Sequence, residues 1–304
     1  LILFFAVYTA LSSSLPLNRI TDSSSTNVDH ITPRKMPSLQ LQYKKVLILG
    51  ATSGIGWALA AKLVETGTSV VVSGRRKENL DKFVEQYGSK GNVDSAVFDI
   101  TDHKAIPGFA ADIFAKHPDL DCVWMNSGLQ RAMNWAKPEE IDLDKMDLEM
   151  DTNYSSILRL TKAFLPYLTK KAPQETGIIY TTSGLALVPI LHCPNYCASK
   201  AALHHMILAM RQQLKDAGSN VKIIELYPPA VQTELHDAEM GEKGKEVGMP
   251  LDEFTEEAFA GLCAESNEQV PVQMVKTFMG FNGWEQERQA TFQKMVAAMK
   301  SQGH

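Results

Sequence analysis

The tightest constraint on this chain is a rhythm. Six apolar runs of strand length each end in a turn signal, and helix-length stretches separate them. The runs are "KKVLILG" (44–50), "SVVVSG" (69–74), "VDSAVFDI" (93–100), "DCVWMN" (121–126), "GIIYTTS" (177–183) and "VKIIELYP" (221–228). Between them lie predicted helices at 56–67, near 77–88, near 102–117, a long one reaching about 172, and 195–218. Short continuous apolar runs suit strands buried on both faces. No hairpin signal joins them, and parallel strands need crossover helices. The fold class predicted is therefore α/β, a doubly wound parallel sheet in a single domain over 41–304. Beyond Pro228 the stretch 231–250 reads as loop, followed by a helical "DEFTEEAFAGLCAE", a short last strand at 268–273 and an end helix at 284–300. The segment from about 231 to 265 is expected to act as a substrate lid.

Composition excludes several function classes. Of 304 residues, 44% are hydrophobic and 21% charged, with a net charge of -5, and no like-charge block exceeds "GRRK", so nucleic acid is not an expected partner. Four cysteines, Cys122, Cys193, Cys197 and Cys263, form no disulfide framework and fit a reducing, cytoplasmic setting. "LILFFAVYTAL" (1–11) is too short to span a bilayer, so no membrane partner is expected. Residues 12–35 are polar and Ser/Thr-rich, and residues 1–40 are expected to be a disordered extension upstream of a start at Met36, with a targeting segment as the alternative.

The turn after the first strand reads "LGATSGIG". Gly50 suits a tight turn, Gly54 and Gly56 suit close approach of backbone to a pyrophosphate, and the following helix start offers amides to an anion. At the end of the second strand stand Ser73, Gly74, Arg75 and Arg76. A carboxylate there would bind the ribose hydroxyls of NAD. Two guanidiniums instead suit a 2′-phosphate, so NADP(H) is the expected cofactor. In "SGLALVPILHCPNYCASK" (183–200), Tyr196 and Lys200 share one helix face by their i,i+4 spacing. A nearby ammonium lowers a phenol's pKa, so this tyrosine is expected to exchange a proton with a substrate oxygen, with Ser183 bonded to the same oxygen.

Over roughly 43–235 the chain resembles the short-chain dehydrogenase/reductase family in its single-domain, Rossmann-like form. "GATSGIG" is similar to the family's TGxxxGIG, with Leu49 where threonine is usual, and it implies cofactor contacts from Gly50, Thr52, Ser53, Gly54, Ile55 and Gly56. Asp99, with Ile100 beside it, matches the aspartate that meets the adenine ring. "MNSG" stands where NNAG is expected and implies contacts from Asn126, Ser127 and Gly128. Asn153 matches the asparagine that holds a proton-relay water, while Ser183, Tyr196 and Lys200 match the catalytic serine and the YxxxK pair. "PPAVQT" is similar to PGxVxT and implies contacts from Pro228, Val231 and Thr233. Tyr196 and Lys200 would also touch the cofactor. Met125 and Pro229 depart from the pattern, and the absent glycine-rich ending leaves the oligomer, a homodimer among the options, open.

The resemblance implies hydride transfer between a nicotinamide, here NADP(H) by its two arginines, and a small carbonyl or secondary-alcohol substrate, and the apolar "GLALVPIL" after Ser183 suits a moderately apolar one. A dinucleotide-binding regulator or redox sensor on the same fold is the alternative. Cys193, Cys197, His192, His204 and His205 crowd this region, but C-x3-C with scattered histidines is a poor ligand spacing and no metal is expected. Met206 and Met210 read as core spacing.

Overall fold

The computed structural model describes residues 39–236, 241–264 and 268–302. All but the last two residues of the expected N-terminal extension, and 237–240 and 265 of the expected lid, lie outside the described residues. Seven strands form one sheet: β1 Lys45–Leu49, β2 Ser69–Gly74, β3 Val93–Val97, β4 Cys122–Met125, β5 Thr176–Thr181, β6 Val221–Tyr227 and β7 Gln269–Pro271. Their order is β3-β2-β1-β4-β5-β6-β7, with every pairing parallel. The strand order reverses between β1 and β4, and the crevice at their carboxyl ends is where ligands of such sheets bind.

Alternation along β1 explains the two faces. Val46 and Ile48 join one core with α1 (Gly54–Glu65) and α2 (Lys77–Tyr87). Leu47 and Leu49 join the other with α3 (Ile106–Lys116), α5 (Ser156–Thr169) and α6 (Pro194–Asp216). The first face is completed by α7 (Leu251–Leu262), whose Phe254, Ala258, Phe259 and Leu262 are buried in the same cluster. The α7 part of the expected lid, 12 residues of it, therefore lies against the core. Its apolar residues recur at helical spacing, and that stripe docks on α1.

Other expectations shift for local reasons. β3 stops at Val97 because Asp99 Oδ1 accepts from the backbone N–H of Thr101 at 3.0 Å and from its hydroxyl at 2.8 Å, folding the chain into an Asx-type turn. The long helix after β4 divides into α4 (Leu143–Met150), a π-turn (Asp151–Ser155) and α5. Met210 is buried as expected, whereas Met206 is 37% exposed and is not core. A short α8 (Met274–Thr277) and a second π-turn (Phe281–Glu285) lead into α9 (Gln286–Ser301), which buries none of its own described residues. Among the described residues no helix is long and apolar enough to cross a membrane.

Candidate active site

Ser183 leaves the end of β5 with extended backbone, and its hydroxyl accepts from the Leu185 N–H at 3.1 Å. Across from it, Pro194 opens α6 with φ preset for the first helical turn, which places Tyr196 in that turn. The Ser183 hydroxyl lies near enough to the Tyr196 phenol to act on its ionisation, and both residues are buried. One turn along α6, Lys200 Nζ lies 5.7 Å from the centroid of the Tyr196 ring and donates to the Thr181 carbonyl at 2.9 Å. Asn153 sits on the π-turn, a distortion that recurs at functional sites. Its Oδ1 accepts from Leu129 N–H at 2.8 Å, and its Nδ2 donates to the Leu129 carbonyl at 2.8 Å and to Ser199 Oγ at 3.0 Å. Ser199 in turn donates to the Tyr196 carbonyl at 2.7 Å, which ties the π-turn to the tyrosine's own backbone. A side chain on Gly128 would come 3.6 Å from Lys200 Nζ and 3.7 Å from Asn153 Oδ1, so the fourth strand's loop closes the same constellation.

The electrostatics differ from the sequence expectation. Burial pushes the Tyr196 hydroxyl above its ordinary value; the Ser183 hydroxyl pulls it down, and the nearby Cys193, Cys197 and Glu149 push it further up. The lysine does not make this tyrosine acidic. Its ammonium is turned to the Thr181 carbonyl, and burial lowers its own pKa to about 8 even though Glu225 draws it upward.

On the nucleotide side, Gly50 (φ 85°) and Gly54 (φ 53°) adopt left-handed backbone that other residues resist. The Gly50 and Ala51 N–H groups both donate to the Ser73 carbonyl, at 2.9 and 3.0 Å, locking the turn to β2. A Cβ on Gly50 would reach Ser127 at 2.7 Å. Gly56 serves a different need from the one expected. Its missing side chain faces the Gly50 carbonyl and Asn126 Nδ2, so it permits close packing of α1 on the turn rather than approach to a ligand. We expect Gly56→Ala to destabilise the fold by about 1–3 kcal/mol, read as a lower urea midpoint at unchanged slope. An unshifted midpoint would contradict this packing role.

Ser53 precedes α1 without capping it, so the first amides of the helix remain open to an anion. Thr233 stands over this turn, its methyl 3.2 Å from the position of a Gly54 Cβ. Asn126 fixes the floor: Nδ2 donates to the Gly50 carbonyl at 3.0 Å, and Oδ1 accepts from Thr181 Oγ1 at 3.0 Å. Thr181 Oγ1 also accepts from Trp124 Nε1 at 2.9 Å. This chain of bonds joins β4 and β5 even though Met125 brings no polar group. Ile55 lies in the first turn of α1, partly buried against the core, and Ile100 is buried on the opposite face of the sheet. Pro228 accepts from the Gly184 N–H at 2.8 Å, and Val231 pairs with Met249. The glycine cradle, open helix start and buried Lys200 together fit a dinucleotide.

The two arginines are placed less freely than the sequence suggests. Arg75 is 70% exposed, with one nitrogen 3.9 Å from Asp99 Oδ2. Arg76 is engaged: it donates to Thr52 Oγ1 at 2.9 and 3.1 Å, to Ser53 Oγ at 2.5 Å and to Glu234 Oε2 at 2.7 Å.

Two buried acids near the site escaped the sequence reading. Glu149 accepts from Arg131 N–H and from Asn195 Nδ2, each at 2.6 Å, and so joins α4 to the start of α6. Glu225 lies inside β6, where Thr182 Oγ1 donates to it at 2.8 Å, Tyr227 Oη at 2.7 Å and His204 Nδ1 at 2.9 Å. A carboxylate in the middle of "VKIIELYP" was the available signal. Glu149, in an acid-rich helix, carried none.

Comparison with known proteins agrees with this geometry. The family model described as short chain dehydrogenase matches residues 44–243. The uncharacterized oxidoreductase DltE of Bacillus subtilis is 31% identical over 226 residues, covering 74% of this chain and 86% of that protein. The 3-oxoacyl-(acyl-carrier-protein) reductase FabG of Thermotoga maritima is 30% identical over 223 residues, covering 71% and 86%. Among solved structures, a short chain dehydrogenase of Burkholderia cenocepacia in complex with NADP superposes with a TM-score of 0.65 at 25% identity, covering 83% of this chain and 98% of that one. A short chain dehydrogenase/reductase of Burkholderia phymatum in complex with NAD gives 0.70 at 18% identity, covering 78% and 91%. With its glycine turn, its parallel sheet and the matched span from strand to strand, the chain belongs to the short-chain dehydrogenase/reductase family of oxidoreductases.

Proposed function

We propose that this chain is an NADPH-dependent carbonyl reductase with Tyr196 as its proton donor. The observation that carries the reading is the buried pair of hydroxyls, Ser183 and Tyr196, with Lys200 one turn away and Asn153 on the adjoining π-turn. With the cofactor's pyrophosphate in the glycine cradle, its nicotinamide would supply the hydride. Ser183 orients and polarises the substrate oxygen. Tyr196, held above its ordinary pKa by burial, is protonated at neutral pH, as a donor to a developing alkoxide must be. Lys200 holds a positive charge behind the phenol and marks where the nicotinamide ribose would lie. Asn153 has one acceptor position beyond its Leu129 bond, suited to a water that returns a proton to Tyr196. Leu185 and Ile190 pack beside Tyr196, and Leu191 is 97% exposed at the same loop, so the substrate side favours an apolar ketone or aldehyde.

The preference for NADPH rests on the absence of a carboxylate at the end of β2 and on the two guanidiniums that follow it. Arg75→Asp should weaken NADP+ binding about 10- to 100-fold, the worth of a charge-assisted bond, while NAD+ affinity holds or rises, since the new carboxylate can accept from the ribose hydroxyls. Fluorescence titration with both cofactors measures this, and an unaltered ratio would remove the assignment. Loss of NADPH absorbance over a panel of ketones and aldehydes tests the activity itself. Saturable NADPH binding with no turnover across the panel would leave only a cofactor-binding role.

A further inference from the structure

The pairing of Arg76 with Glu234 has a consequence for cofactor choice. Glu234 lies in a short turn (Glu234–His236) directly after Thr233, and Thr233 stands over Gly54. Arg76 comes from the other side of the same mouth, at the start of α2. Its guanidinium spans the two: one nitrogen reaches Glu234 Oε2 at 2.7 Å, and the others hold Thr52 and Ser53 of the glycine turn. All three nitrogens are engaged by groups of this chain.

We propose that Glu234 is a cofactor-specificity residue, a carboxylate that occupies Arg76 until a 2′-phosphate displaces it. The inference rests on the NADP(H) reading above. A dinucleotide lacking the 2′-phosphate gives Arg76 no reason to leave Glu234. One carrying it brings a doubly charged group to the same cation, beside a carboxylate that repels it. Glu234 thus subtracts from affinity for the phosphorylated cofactor and has little effect on the other.

The test measures 2′,5′-ADP, 5′-AMP, NADP+ and NAD+ binding to the wild-type chain and to Glu234→Gln, which keeps the shape and removes the charge. The expected result is about 3- to 10-fold tighter binding of the two 2′-phosphorylated ligands and less than about 2-fold change for the other two, with the gain shrinking at high salt. Glu234→Asp should restore wild-type affinities. Equal tightening of all four ligands would show mere loosening of the loop and overturn the proposal, as would no change in any. If the wild-type chain itself binds 2′,5′-ADP no better than 5′-AMP, the cofactor reading fails and takes the role of Glu234 with it. If the wild type discriminates and Glu234→Gln leaves the ratio unaltered, only the role of Glu234 fails.

Discussion

Tyr196→Phe is expected to lower kcat by about 10²- to 10⁴-fold, the usual worth of a positioned proton donor, while NADP+ binds as tightly as before. The substitution removes one hydroxyl from a buried site and keeps the ring that packs with Cys193, Cys197 and Ile190. The folded structure should therefore persist, and the deficit should fall on turnover rather than on cofactor affinity. Because burial holds this phenol protonated, the wild-type reduction rate should stay level through neutral pH. It should decline as the pH rises past about 8, where Lys200 sheds its proton and with it the charge that would strengthen its bond to the nicotinamide ribose. Steady-state rates with NADPH and a reactive ketone, taken across pH for both proteins, provide the measurement. Near-normal turnover of the phenylalanine variant would eliminate Tyr196 as the donor.

Glu285→Ala is expected to cost about 3 kcal/mol of stability, because it takes from buried His204 one of its two counter-charges and from half-buried Arg288 its carboxylate partner. Glu285 is fully buried at the entry to α9 and accepts from His204 Nε2 at 3.1 Å, from Arg288 at 2.8 Å and from Gln289 at 2.7 Å. Burial alone would raise its pKa, but those three donors hold it down at about 2. His204 is its counterpart. Burial opposes the imidazole's charge, yet Glu225 and Glu285 on either side raise its pKa to about 9. Arg288 also approaches Nε2, a contact that would suit a neutral ring, but the two carboxylates outweigh it.

The pH dependence follows from these directions. The histidine's contribution is complete below its unfolded value of 6.5 and is lost as pH rises through about 9. The glutamate's contribution is complete above 4.5 and is lost as pH falls through about 2. Their joint stabilisation is thus greatest between 4.5 and 6.5. Lys200, depressed to about 8, acts in the opposite sense and offsets part of the alkaline loss from there upward. Urea unfolding of wild type and Glu285→Ala should show a large gap at pH 6 that narrows toward pH 9. A gap that is small, or the same at both pH values, would contradict the ionic account. The gap should appear without a change in the turnover rate of whatever fraction remains folded, since no atom of Glu285 touches the Ser183–Tyr196 pair.

Much of the fold was legible in the chain. The β1 run, the glycine turn and α1 could be placed because each depends on neighbours a few residues away: apolar residues buried on both faces, left-handed glycines at Gly50 and Gly54, and a helix start left uncapped for an anion. Ser183, Tyr196, Lys200 and Asn153 were singled out by spacing and resemblance, and the structure brings them together. The direction of the Tyr196 pKa was not legible, because burial is a property of the packed molecule and outweighs an amine that faces the Thr181 carbonyl. The place of α7 was not legible for a related reason. The helical stripe of α7 could equally have covered a substrate or completed a core, and only its docking on α1 decided between them.

By itself, then, the amino-acid sequence determined the alternation of strands and helices, the parallel sheet and which candidate residues would gather at its carboxyl edge. Periodicity and turn residues act over short stretches of chain, and those features need nothing more. Only the tertiary structure decided which charges meet. Arg76 and Glu234 are 158 positions apart, and His204 and Glu285 are 81 apart. Coulomb interactions depend on distance in space and on the water excluded around them, and neither is written in local spacing.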